Sequence, residues 1–163
     1  MKTLYLLRHA TAAAATPPAM SDFERTLTGH GVREAHSVGR YMQINRFVPA
    51  FVHSSAAVRT SETAQIAMHH IFGKADPCPS NFDKDLYNVP EETLLAAVRA
   101  ASNDHRSLLL VAHNQGVADL AFTLGKVAKY DPGTLSVFTA DVESWGQFSA
   151  QTAQLQKVFA PEG

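Results

Sequence analysis

Leu4-Tyr-Leu-Leu-Arg-His-Ala-Thr11 opens the chain with four apolar or aromatic residues that stop abruptly at two cationic or cationisable side chains. A continuous hydrophobic run of this length marks a strand buried on both faces of a parallel sheet. In open α/β sheets, ligands bind in the crevice outside the carboxyl ends of such strands. Arg8 and His9 therefore stand where a ligand would be. The Arg8 guanidinium presents paired donors that match phosphate oxygens two at a time. His9 offers a nitrogen nucleophile, because imidazole with an unperturbed pKa of about 6.5 is largely neutral at pH 7. Taken alone, an arginine–histidine pair at a strand end is an ordinary surface feature, so the phosphoryl-transfer reading needs support from the rest of the chain.

That support begins at Ser107-Leu-Leu-Leu-Val-Ala112, the strongest strand in the sequence. It ends in His113-Asn114, and Gly116 then opens a helix carrying Val117, Leu120, Ala121 and Leu124. Two histidines at the carboxyl ends of two parallel strands can converge on one crevice. A lone His113 would be a structural residue; the second strand-to-histidine junction gives it a functional reading.

Between the junctions, strand and helix patterns alternate. Ala12 to Asp22, rich in Ala, Pro and Thr, reads as a loop. Thr28 suits an N-cap, and Val32, Ala35, Val38 and Met42 predict a helix to about Asn45. Arg25, just ahead of that helix, either folds back over the first strand's end or stays a solvated cation. Phe47 to His53 reads as a second strand ended by Ser54-Ser55. A helix follows from about Ala57 to Phe72, with Ala57, Ala64, Ala67, Met68 and Ile71 inward. Arg59 falls in its first turn, where a cation opposes the helix dipole. A bound anion would offset that conflict, since helix N-termini already bind phosphate.

Gly73 to Pro79 is a connection with room for a short strand. Asp83-Lys-Asp85-Leu-Tyr resembles the aspartate pair of haloacid-dehalogenase-type phosphatases but follows no strong apolar strand, so it reads as a solvated turn. Pro90 with Glu91-Glu92 starts a helix to about Ser102 whose buried stripe is Leu94, Leu95 and Val98. Gly133 to Val142 alternates loosely, Glu143-Ser-Trp-Gly146 turns the chain, and a last strand runs through about Val158. The expected fold class is α/β: a three-layer α/β/α sandwich whose mostly parallel sheet has an antiparallel edge.

A chain of 163 residues is expected to form a single domain, 1–163, with a full core. Its net charge of −1 implies no broad basic face for nucleic acid or an anionic membrane. Cys78 is the only cysteine, which leaves no intrachain disulfide and no Cys-rich zinc site. The eight histidines show no ligand-spaced carboxylate–histidine motif, and His69 and His70 are adjacent, so no metal is expected. The opening apolar run is too short for a signal peptide, and no stretch approaches the roughly 20 apolar residues that span a membrane. A cytoplasmic monomer is the expectation.

With Arg8-His9, Arg59 and His113 in view, the chain resembles the histidine phosphatase superfamily, the phosphoglycerate-mutase-like fold, and most of all its short SixA-type phosphohistidine phosphatases. The similarity covers nearly the whole chain in order. The family's Arg-His-Gly signature appears as Arg8-His9-Ala10, and its Arg-Pro-Leu-Thr segment as Arg25-Thr26-Leu27-Thr28 followed by Gly31. Its Ser-Pro-x-x-Arg-Ala-x-x-Thr-Ala segment appears as Ser55-Ala-Ala-Val-Arg59-Thr-Ser-Glu-Thr63-Ala64, and its Gly-His-Asn-Pro-Gly segment as Ala112-His113-Asn114-Gln115-Gly116. Thr26, Ala56 and Gln115 replace family prolines, which touches loop stiffness more than chemistry.

The resemblance implies that His9 attacks phosphorus in line and forms a phosphohistidine intermediate that water hydrolyses. It also implies that Arg8, Arg59 and Arg25 clamp the nonbridging oxygens while His113 stabilises developing charge, with no cofactor. Larger members carry a general acid for the leaving group. Here none matches, and Asp85, Asp83 and Glu91 are only weak candidates. A missing acid harms least when the leaving group departs easily, as from the labile P–N bond of phosphohistidine. The expected substrate is therefore a phosphohistidine-bearing protein. A small phosphomonoester, such as a sugar or nucleotide phosphate, is the nearest rival, followed by a phosphate-dependent binding module without turnover.

Overall fold

A computed structural model describes residues 1–162; Gly163, the last of the Pro161-Glu-Gly end, lies outside the described residues. Ten regular elements follow in chain order: β1 (Lys2–Arg8), α1 (Gly29–Ile44), β2 (Phe51–Ser55), α2 (Val58–Phe72), β3 (Ser80–Asp83), α3 (Glu91–Arg99), β4 (Ser107–Ala112), α4 (Gly116–Gly125), β5 (Leu135–Ala140) and β6 (Ala153–Phe159). They build one six-stranded sheet in the order β3-β2-β4-β1-β5-β6. The β3, β2, β4 and β1 strands run parallel, whereas β5 pairs antiparallel with β1 and β6 antiparallel with β5. The antiparallel edge is thus two strands wide.

Two apolar layers flank the sheet, and the two-residue period of β1 serves both. Leu4 and Leu6 join Leu108, Leu110, Leu94, Val98, Leu120 and Trp145 on the α3–α4 face. Tyr5 and Leu7 join Leu109, Val111, Val38, Met42 and Ala64 on the α1–α2 face. A strand that must bury both sets of side chains has to be apolar throughout, which is why β1 and β4 read as unbroken runs. No helix among the described residues is long and apolar enough to cross a membrane.

This wiring makes the crevice. The chain leaves β1 for a helix on one face of the sheet and leaves neighbouring β4 for a helix on the other face. The carboxyl ends of β1 and β4 therefore form a topological switch point, where open α/β sheets bind ligands. Register pairs Arg8 with Ala112, so His9 and His113 follow side by side.

Three expectations about β2 and α3 need correction. The second strand starts at Phe51, not Phe47, because Phe47 turns back on the end of α1, its N–H donating to the Met42 carbonyl at 2.9 Å. Its Tyr5 and Tyr41 contacts make it a core plug rather than a strand residue. Nor do Ser54 and Ser55 end the strand; both are fully buried and pair with β3, Ser54 also with Val111 of β4. Backbone pairing on both flanks overrides their weak strand preference. Helix α3 stops at Arg99 rather than Ser102. A 3₁₀ turn, Trp145–Gln147, leads toward β6 and buries Trp145 completely.

Candidate active site

Three segments close on the β1–β4 switch point. The loop after β1 is held by Glu34 of α1, whose buried carboxylate accepts from the Thr11 N–H at 2.8 Å. Thr63 of α2 accepts from the Ala10 N–H at 3.1 Å and donates to the Arg59 carbonyl at 2.7 Å. Gly31 lets α1 come this close: a β-carbon there would lie 1.9 Å from the Thr11 carbonyl oxygen. From behind, the Gly133 N–H donates to the His9 and Arg8 carbonyls. The backbone around His9 is thereby pinned from three sides.

His9 is only 8% exposed, and its Nδ1 lies 2.7 Å from the Ala10 carbonyl. A carbonyl can only accept, so Nδ1 carries the proton and Nε2 keeps its lone pair. Burial, followed by the charges of Arg59, Arg8 and Arg25, lowers the His9 pKa to about 4 against the Ala10 hydrogen bond. The result is a neutral imidazole with its Nε2 lone pair available, ringed by cations.

His113 lies beside it, with ring centroids 5.4 Å apart. Its Nε2 is 2.8 Å from the Ser55 hydroxyl, which itself accepts from the Ala57 N–H at 3.3 Å. The Ser55 hydroxyl proton meets no other acceptor among the described residues, so it points to Nε2 and leaves Nδ1–H of His113 as a donor. Nδ1 is buried and has no partner among the described residues. Burial and the Arg59 charge bring the His113 pKa down to about 3.

The arginines are placed by different elements. Arg8 donates through Nη1 to the Tyr130 carbonyl at 3.0 Å, and its buried Nε has no partner. Arg59, 3% exposed, donates to the Asp22 carbonyl at 2.7 Å and to the Asp22 carboxylate at 3.2 Å. Its Nε is likewise buried and unpaired. Arg25 donates to the Ala13 carbonyl at 2.6 Å and to the Asp22 carboxylate at 3.0 Å. Buried polar groups nearly always find partners. Three unpaired N–H donors, from Arg8, Arg59 and His113, beside the neutral His9 imidazole form an arrangement suited to binding an oxyanion.

Three residues to which the sequence assigns no site role enter here. Asp22 takes hydrogen bonds from Arg25, Arg59, the Tyr87 hydroxyl and, at 3.4 Å, Asn88. Tyr87 also sets its ring edge-on to His113 at 5.4 Å. Asn88 adopts the left-handed region (φ 50°), which asparagine tolerates better than most residues. The acid candidates make their bonds elsewhere. Asp83 pairs with His53 Nε2 at 2.9 Å and accepts from the Asp85 N–H at 2.8 Å, Asp85 is exposed, and Glu91 accepts from Thr123 at 2.6 Å. No group of three or more His, Cys, Asp or Glu among the described residues could hold a metal ion.

No protein-family profile matches the chain. A curated relative from Mycobacterium leprae, called an uncharacterized protein, is 28% identical over 122 residues, covering 72% of this chain and 70% of its own. Among solved structures, a protein of Agrobacterium tumefaciens provisionally assigned as the phosphohistidine phosphatase SixA is 27% identical, with a TM-score of 0.81 over 98% of this chain and 99% of that one. Another so assigned, from Nakamurella multipartitia, is 25% identical, with a TM-score of 0.82 over 99% and 97%. These solved neighbours are members of the histidine phosphatase superfamily, and the chain is similar to them over nearly its whole length. As a histidine-type phosphatase it has the family's phosphoglycerate-mutase-like α/β architecture, built on the sheet described above.

The two depressed histidines of this histidine phosphatase tie its stability to pH. Each ring is neutral when folded and binds a proton near pH 6.5 when unfolded, so between those values the unfolded state holds more protons. Stability contributed by neutral His9 and His113 is present above about pH 6.5 and is lost as pH falls toward 4 and 3. Chemical denaturation at pH 7, 5.5 and 4.5 is expected to show a fall of a few kcal/mol. In a His9→Ala, His113→Ala double variant the slope should flatten, and an unchanged slope would contradict this account.

Proposed function

We propose that this histidine phosphatase removes phosphate from phosphohistidine on a signalling or phosphotransfer protein, through a phosphohistidine formed on its own His9. One observation carries the reading: His9 is held neutral with Nδ1–H on the Ala10 carbonyl, leaving Nε2 as the nucleophile beside three unpaired buried N–H donors. In the first step the His9 Nε2–P bond forms as the substrate's P–N bond breaks, and the departing imidazole takes a proton from solvent. Water then attacks phosphorus, the His9–P bond breaks, and inorganic phosphate leaves.

Arg8, Arg59 and Arg25 bind the nonbridging oxygens, and His113 Nδ1–H donates to the charge that builds there. Phosphoryl transfer asks the protein chiefly for this positioning and charge stabilisation. The carboxylate bonded to Arg25 and Arg59, that of Asp22, is held well below the ordinary range, first by the Tyr87 hydroxyl and then by those two arginines. It is ionised at neutral pH and has no proton to give. A leaving group that needs no strong acid, such as imidazole, suits the site better than an alkoxide.

The test is phosphate release, in chelator, from a phosphohistidine-bearing protein, p-nitrophenyl phosphate and glycerol phosphate. Phosphohistidine should be the best substrate, with the alkyl ester slower by about 10²–10⁴, the usual worth of general-acid catalysis. Efficient turnover of glycerol phosphate with phosphohistidine ignored would move the substrate to small phosphomonoesters. Phosphate binding without release from any of the three would make the site a binding module.

A further inference from the structure

Asp22 lies on the open side of the cluster. Its side chain is 44% exposed, whereas Arg59 and His113 are 3% and 2% exposed, and the unpaired Arg8 Nε, Arg59 Nε and His113 Nδ1 are all buried. The donors awaiting a phosphate thus lie inward of the carboxylate. In an in-line displacement the leaving atom stands opposite the nucleophile. With His9 at the buried floor, the leaving group points outward, past the rim formed by Asp22, Tyr87 and Asn88. The carboxylate is fixed there by donors from three segments: Arg25 on its own loop, Arg59 on α2, and Tyr87 with Asn88 ahead of α3.

Resting on the proposed function, we propose that Asp22 is a specificity-determining residue: its anchored carboxylate favours leaving groups that are neutral or cationic and disfavours those carrying further negative charge. Four observations support the assignment. The carboxylate is anchored by three or more donors, so it cannot swing away from an approaching anion without losing them. Those donors keep it charged. It pairs with Arg25 and Arg59, the cations that the proposed function assigns to the phosphate, so its field reaches the reacting group. Finally, it stands at the partly exposed rim, where a substrate body must pass. An imidazole, which leaves as a neutral or protonated ring, meets an attractive neighbour. A sugar acid or a second phosphate meets a like charge, and like-charge juxtaposition is how sites reject wrong partners.

The test separates this role from turnover by using ligands that cannot be hydrolysed. Binding of phenylphosphonate and 4-carboxyphenylphosphonate is measured by calorimetry at low salt for the wild type, Asp22→Asn and Asp22→Glu. The wild type should prefer the uncharged ring by about 10-fold, the scale of a unit charge acting across a partly solvated site. Asp22→Asn should bring the ratio near one, and Asp22→Glu should restore it. Equal binding of the two phosphonates by the wild type would overturn the proposal. So would an Asn variant that weakens both alike, because Asp22 would then only orient Arg25 and Arg59. None of these readings requires the phosphohistidine assignment to hold: failure to hydrolyse phosphohistidine while the phosphonate preference follows Asp22 would remove the substrate and keep the charge filter.

Discussion

Replacing His9 with alanine is expected to lower phosphate release from every substrate by on the order of 10⁴-fold or more, while leaving inorganic phosphate binding within a few-fold of wild type. On the proposed mechanism the rate loss is large because the route through a covalent intermediate disappears with His9; removal of the nucleophile in other covalent enzymes has effects of this order. Binding survives because the oxygens are held by Arg8, Arg25, Arg59 and His113, whose own anchors are Tyr130, Ala13, Asp22 and Ser55. Rapid quench of wild type with radiolabelled substrate should trap a phosphoenzyme that is labile in acid and stable in base, as phosphorus bonded to nitrogen is. The alanine variant should trap none. A variant that still formed the acid-labile phosphoenzyme would place the nucleophile on another histidine, with His113 first in line.

The second large effect is expected at Arg59. Arg59→Ala should reduce kcat by about 10²–10³, the cost of removing one preorganised donor to developing charge, with a smaller rise in KM. Arg59→Lys should recover only a part. Arginine reaches the Asp22 carbonyl with Nη1, the Asp22 carboxylate with Nη2, and has Nε free for a ligand, a fork that a single ammonium cannot reproduce. Steady-state kinetics on p-nitrophenyl phosphate would read the split. A full recovery in the lysine variant would mean that charge alone matters at this position and that the fork geometry is incidental.

Arg59 also shows how a local rule can point correctly for an incomplete reason. A cation in the first turn of α2 opposes the helix dipole, which points to a bound anion. In the structure part of that anionic role is filled from within, by the Asp22 carboxylate, because a loop remote in sequence folds onto the turn. The remaining Nε is what is left for a ligand. Arg25 resolves in the same way: the loop cation folds back over the end of β1, tied to Ala13 and Asp22.

Much of the architecture was legible in the chain itself. The unbroken apolar runs of β1 and β4 identify the two central strands, since only strands buried on both faces must be apolar at every position. Their abrupt ends at Arg8-His9 and His113 mark the crevice, because the ligand-binding side of such a sheet is where those runs stop. Periods of 3.6 and 2 separated the helices from the strands, and Thr28 caps α1 as its residue type suggests, accepting from the Gly31 N–H at 2.9 Å.

What only the tertiary structure decided lies in the polar contacts between segments distant in sequence. Ser54-Ser55 looked like a strand end because serine carries no apolar signal, yet pairing with both neighbours extends β2 until Ser55 meets His113. Asp22 sat in a loop rich in Ala, Pro and Thr and gave no periodic cue; its four donors come from Arg25, Arg59, Tyr87 and Asn88, and three of these lie more than thirty residues away. Hydrophobic pattern is local and repeats with the geometry of the backbone, so it can be read from a string of residues. The pairing of single polar side chains depends on where loops land, and that is settled only when the core has brought them together.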